Sequence, residues 1–159
     1  MAMGCPLGPT FANIFMCSLE ECMLDKCPPS SRPLLYSRYV DDTFLLFRHP
    51  HSPEFFLDVA NSCHPNIRFT LEKEENNSLA FLDVLVTRDA SGFNTTVFRK
   101  KTFTGLGCNF YSFCFSNFKL NSIFTLVHRA LTHTSTWQYF HKEIEFLTEY
   151  LVNNCYPST

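Results

Sequence analysis

A chain of 159 residues, 45% hydrophobic and 16% aromatic with 18 Phe, carries enough apolar side chain to bury a core, which excludes a disordered chain. Its formal net charge of −2 excludes a uniformly basic binder of polyanions, so such contact would need a local patch, of which Arg99-Lys100-Lys101 is the clearest. No apolar run reaches the ~20 residues of a membrane span, so no membrane partner is expected. The start has Pro6 and Pro9 and no basic lead-in, which argues against a secretory signal and for a nuclear or cytoplasmic protein.

Met1 to Pro9 reads as a loop with Gly and Pro breakers. Thr10 is placed to cap a helix to about Lys26, with Phe11, Ile14, Phe15, Leu19, Cys22 and Met23 as its apolar stripe. Cys27-Pro28-Pro29-Ser30-Ser31 ends it. Residues 34–39 and 43–48 read as two apolar strands around Tyr39-Val40-Asp41-Asp42. Ser52 and Pro53 then start a helix that ends near Cys63.

Residues 67–72 alternate apolar and polar, the period of a half-buried strand. Asn76-Asn77-Ser78 is a turn, Leu79 to Arg88 a mostly apolar strand, Asp89-Ala90-Ser91-Gly92 a turn and Phe93 to Arg99 its hairpin partner. Residues 102–116 are irregular and aromatic-rich. Asn117 or Asn121 can cap a helix through Ala130, and a last helix spans about Trp137 to Val152. The clustered strands imply an α+β fold with helices on one side of an antiparallel sheet. The terminal helical pair is a candidate for a small subdomain.

The eight cysteines, at 5, 17, 22, 27, 63, 108, 114 and 155, form no Cys-x-x-Cys pair. Neither a zinc spacing nor a disulfide framework is visible, which favours reduced thiols. Asn76-Asn77-Ser78 and Asn94-Thr95-Thr96 match the glycosylation pattern, which has meaning only after secretion. Gly-x-Ser-x-Gly is absent, so serine hydrolysis has no support. His128, His133 and His141 read as capping or solvated residues, and Trp137 with Phe140 as core.

Asp41 and Asp42 carry the chemistry of the first half. Adjacent carboxylates at the tip of a buried hairpin would resist ionisation, and a divalent cation would relieve that penalty. No Gly or Asn marks an ordinary two-residue turn there. An Asp-x-Asp phosphohydrolase is disfavoured, because Asp41-Asp42-Thr43 lacks that spacing.

With these residues in view, the chain resembles a reverse transcriptase of Penelope-like retroelements. Ala2 to Met16, Arg38 to Phe44, Asn77 to Val84, Phe98 to Gly105, Leu126 to Ala130 and Asn153 to Pro157 carry the likeness, in the family's order. The resemblance implies a partial polymerase palm over 1–105 and a helical thumb-like region over 106–159. It implies RNA-directed DNA synthesis by two-metal nucleotidyl transfer on Mg2+ or Mn2+, with Asp41 and Asp42 as catalytic metal ligands. RNA template, DNA primer and deoxynucleoside triphosphates would be the partners. Gly4, Pro6, Gly8, Pro9, Tyr39 and Val40 would lie against nucleotide and template. Arg99, Lys100 and Lys101 would hold phosphate; Lys73 is a candidate general acid, but among Glu72, Glu74 and Glu75 it reads more readily as plain surface.

The departures are pointed. The family's upstream metal-binding aspartate strand and fingers are missing. Cys5 stands for an expected serine, and Cys155 takes a glycine's place in a strained turn. The expectation is therefore a truncated polymerase, inactive alone. The alternative is a non-catalytic remnant that binds nucleic acid or protein.

Overall fold

Pro9 falls in the first turn of the first helix, where its missing N–H costs nothing. The helix therefore begins at Gly8, before the expected cap at Thr10. The computed structural model describes residues 6–90 and 92–157. The expectations placed on residues 1–5, Gly4 and Cys5 among them, and on Ser91 lie outside these described residues.

The element order is α1 Gly8–Lys26, β1 Leu35–Tyr39, β2 Asp42–Leu46, α2 Ser52–Cys63, β3 Ser78–Phe81, β4 Val84–Asp89, β5 Gly92–Val97, α3 Ser116–His133 and α4 Trp137–Asn153. The α+β composition is as expected. The single antiparallel sheet of a palm is not found among the described residues. β1 pairs only with β2, and β3-β4-β5 form a second sheet. The chain divides into two units, Met1–Lys73 and Glu74–Thr159.

In the first unit, Leu19, Met23 and Cys27 meet Phe56 and Ala60 of α2 in one buried cluster. Tyr36 and Leu45 of the hairpin, and Ile67 and Phe69 beyond α2, pack on it. Only the second half of the expected α1 stripe is buried, since Phe11, Ile14 and Phe15 stay exposed. Residues 67–72 form no strand, although their alternation does turn Ile67 and Phe69 inward. Asn61 explains this. Its amide accepts from Phe69 N–H at 2.8 Å and donates to Phe69 C=O at 3.3 Å, so a side chain supplies the bonds of a strand neighbour.

Glu20 fastens the hairpin to α1. Its Oε1 accepts from the Tyr36 hydroxyl at 3.1 Å and from Arg38 Nε. Burial, then the Glu20 carboxylate, raises the Tyr36 pKa far above the ordinary phenol range. Arg38 also donates to Asn13 Oδ1 at 3.1 Å and to the Val40 carbonyl at 2.9 Å.

Two hairpins turn on the same device. Tyr39 pairs with Asp42 around Val40-Asp41, and Phe81 pairs with Val84 around Leu82-Asp83. Val40 has φ 57° and Leu82 φ 54°, the left-handed region that apolar side chains avoid. The expected single strand from Leu79 to Arg88 is thereby folded into β3 and β4. Replacing Val40 with glycine is expected to raise stability by about 1 kcal/mol. Relief of ~1–3 kcal/mol of backbone strain outweighs the ~0.5–1 kcal/mol of extra chain entropy that glycine loses. An unchanged or lower thermal midpoint for this variant would contradict that account.

Candidate nucleic-acid interface

α3 and α4 are joined by the three residues Thr134-Ser135-Thr136, and each is tied to a different element. The Thr134 hydroxyl donates to Ala130 C=O at 2.7 Å, closing the end of α3. Ser135 bonds β5 three times: its N–H donates to Thr95 C=O at 3.1 Å, its Oγ accepts from Thr95 N–H at 3.0 Å, and its hydroxyl donates to Asn94 Oδ1 at 3.2 Å. Thr136 caps α4 by accepting from Tyr139 N–H at 3.3 Å. Ala130, wholly buried, lets α4 approach α3, and Leu147 of α4 is buried as well.

The C-terminal half of α4 is anchored. Arg99, after β5, reaches Glu143 with both terminal nitrogens, one at 2.9 Å, and lies 3.8 Å over the Phe146 ring. Phe103, Phe146 and Tyr150 continue the same aromatic layer, with centroids 6.1–6.5 Å apart. Beyond α4, buried Asn154 holds the segment before α3. Its amide donates to Gly105 C=O at 3.0 Å and to Tyr150 C=O at 2.8 Å, and its Oδ1 accepts from Gly107 N–H at 2.8 Å. Cys155 follows at φ 66°, the left-handed position past a helix end that glycine usually fills.

The first turns of α4 are bare. Trp137, Gln138, His141 and Lys142 are exposed, Trp137 at 68%. Trp137 is thus not core, against the expectation, although its ring touches Phe140 at 5.0 Å and His141 at 5.6 Å. His141 Nδ1 lies 2.7 Å from Trp137 C=O, which can only accept, so Nδ1 is the donor in that bond.

The residues singled out from the sequence are placed as follows within each unit, Gly4 lying outside the described residues. Asp41 and Asp42 are exposed at the β1-β2 turn, so the desolvation argument for a cation fails there. Among the described residues no group of three or more His, Cys, Asp or Glu has a metal-holding arrangement. Two exposed carboxylates do not fit a two-metal transfer centre, and no catalytic step follows from them. Tyr39 and Val40 are exposed beside them, and Pro6, Gly8 and Pro9 lie at the start of α1. Lys73 is an exposed partner of Glu54, not a free acid. Arg99 is consumed by Glu143, whereas Lys100 and Lys101 are exposed. A cleft of about 330 Å³ beside Arg99 is lined by two ion pairs, Arg99 with Glu143 and Arg129 with Asp83 at 3.2 Å, and by Lys100.

Residues 108–159 match the family model of the animal helix-turn-helix domain. The matched segment contains α3, the pinned turn and α4. No reverse transcriptase family matches the chain, which overturns the resemblance read from its motifs. No curated protein matches the chain, and no solved structure matches it. No helix among the described residues is long and apolar enough to cross a membrane.

Proposed function

We propose that residues 108–159 form a non-catalytic module that binds double-stranded nucleic acid, with α4 as the helix that enters the major groove. The observation that carries this reading is the exposed start of α4 on a turn fixed at every residue. In helix-turn-helix binders the N-terminal residues of the second helix touch base edges. Gln138 and Lys142 are side chains suited to adenine and guanine edges respectively, and Trp137 offers a face for sugar or base.

Electrostatics limits the non-specific part. Residues 108–159 hold three cations, Lys119, Arg129 and Lys142, against three acids, Glu143, Glu145 and Glu149. Binding then depends on groove contacts more than on counterion release. Fluorescence anisotropy on duplexes enriched from a random pool is expected to show a shallow salt dependence, with a slope of about −1 to −2. Gln138→Ala or Lys142→Ala is expected to weaken the enriched duplex about tenfold, with unchanged circular dichroism. Failure of the pool to enrich, or indifference to both substitutions, would refute the reading.

A protein-docking role is the second reading. Leu120, Phe124, Val127 and Leu131 recur at helical spacing along α3 and are 40–70% exposed, a stripe without charge.

A further inference from the structure

The segment before α3 holds a pair of thiols that neither the helix-turn-helix match nor the nucleic-acid reading uses. Cys108 Sγ lies 3.5 Å from Cys114 Sγ, and both residues are exposed. Ser112 Oγ sits between them, 3.3 Å from Cys108 Sγ and 3.5 Å from Cys114 Sγ. Their meeting is built by the loop. Asn109 Oδ1 accepts from Tyr111 N–H at 2.8 Å, and Asn109 C=O accepts from the Ser112 hydroxyl at 2.6 Å. The loop is held at its far side as well, since Phe110 N–H donates to Asn154 C=O at 3.0 Å.

We propose that Cys108 and Cys114 form a dithiol exchange site that takes a low-molecular-weight disulfide as its substrate. The Cys108 thiolate attacks one sulfur of the small disulfide, forming a mixed disulfide and expelling the first small thiolate, which takes up a proton. The Cys114 thiolate then attacks the Cys108 sulfur, forming the Cys108–Cys114 bond and expelling the second. The chain loses two protons and two electrons, and the small disulfide takes up both to become two thiols. Closing the bond needs the sulfurs to approach by roughly 1.5 Å, a side-chain movement in an exposed loop.

The roles follow from the surroundings. Ser112, then Cys114, hydrogen-bonds to the Cys108 thiol, and the Lys119 charge adds to them; together they lower its pKa below the ordinary range. Cys63 supplies a contrast in the same chain. Its thiol also meets a second cysteine, Cys22, but burial pushes its pKa up. A thiol pair alone is therefore not the distinguishing feature. Exposure and the donors around Cys108 are.

The full chain, reduced and then treated with oxidised glutathione at neutral pH, tests this. Remaining thiols are blocked by alkylation and mapped by mass spectrometry. The expected first product is a Cys108–Cys114 link, with two glutathione molecules released per chain and reversal by dithiothreitol. Cys114→Ser is expected to halt the reaction at a glutathione adduct on Cys108. The unaltered chain gives a second readout: Cys108 should be alkylated at least about tenfold faster than Cys63, from a lower pH upward. A Cys108–Cys155 link as the first product would overturn the proposal. So would a Cys108 adduct that persists in the unaltered chain, or alkylation of Cys108 no faster than that of Cys63.

Discussion

Replacing Glu143 with alanine is expected to lower stability by about 2–3 kcal/mol, because it leaves the half-buried Arg99 without its charged hydrogen-bond partner. The Glu143 side chain is 10% exposed and that of Arg99 24%, so solvent screens the pair only in part. Urea unfolding followed by circular dichroism measures the loss. The cause is separated from mere truncation by Arg99→Met combined with Glu143→Leu. That double variant removes both charges and retains apolar volume against Phe146, and it is expected to recover most of the deficit. A loss below about 1 kcal/mol for Glu143→Ala would mean that the pair behaves as a surface bridge.

Asn154→Ala is expected to cost about 3 kcal/mol. It deletes three side-chain hydrogen bonds, to Gly105, Gly107 and Tyr150, at roughly 1 kcal/mol each. Asn154→Asp keeps an acceptor for Gly107 N–H but turns a buried carboxylate oxygen toward the Gly105 and Tyr150 carbonyls, so it should cost at least as much as alanine. Hydrogen exchange at the Gly107 amide gives the local readout, with faster exchange in Asn154→Ala than in the native chain. Equal protection in Asn154→Ala and the native chain would show that the side-chain oxygen does not hold that loop.

The helices were legible because their periodicity and breakers act locally. Pro9, Pro53 and the apolar spacing of the last helix placed α1, α2 and α4 to within a few residues. The turns at Asn76-Asn77 and between Asp89 and Gly92 were legible, but the backbone conformations of two others were not. Val40 and Leu82 occupy left-handed positions that turn statistics reserve for glycine or asparagine, and at Val40 a distant side chain, Arg38, grips the carbonyl. Residues 67–72 had the alternation of a strand, yet their partner was the amide of Asn61, which no pattern within the segment reveals. The same limit applied to function. Tyr39-Val40-Asp41-Asp42 is a distinctive string, but its acids stand in solvent. Trp137 was misassigned to the core because spacing cannot tell a first-turn residue that overhangs its neighbours from one that is covered. Cys108 and Cys114, six residues apart, fit no standard motif; only the folding of the intervening loop brings them together.

The grip of Asn154 on Gly105 and Gly107 spans 49 and 47 residues. During translation the earlier segment leaves the ribosome well before its fastener does. Residues 105–115 therefore lack that hold, keeping only the local bonds around Asn109, until Asn154 has emerged. A stalled nascent chain lacking Asn154 should expose this segment to protease, and extension past Asn154 should protect it.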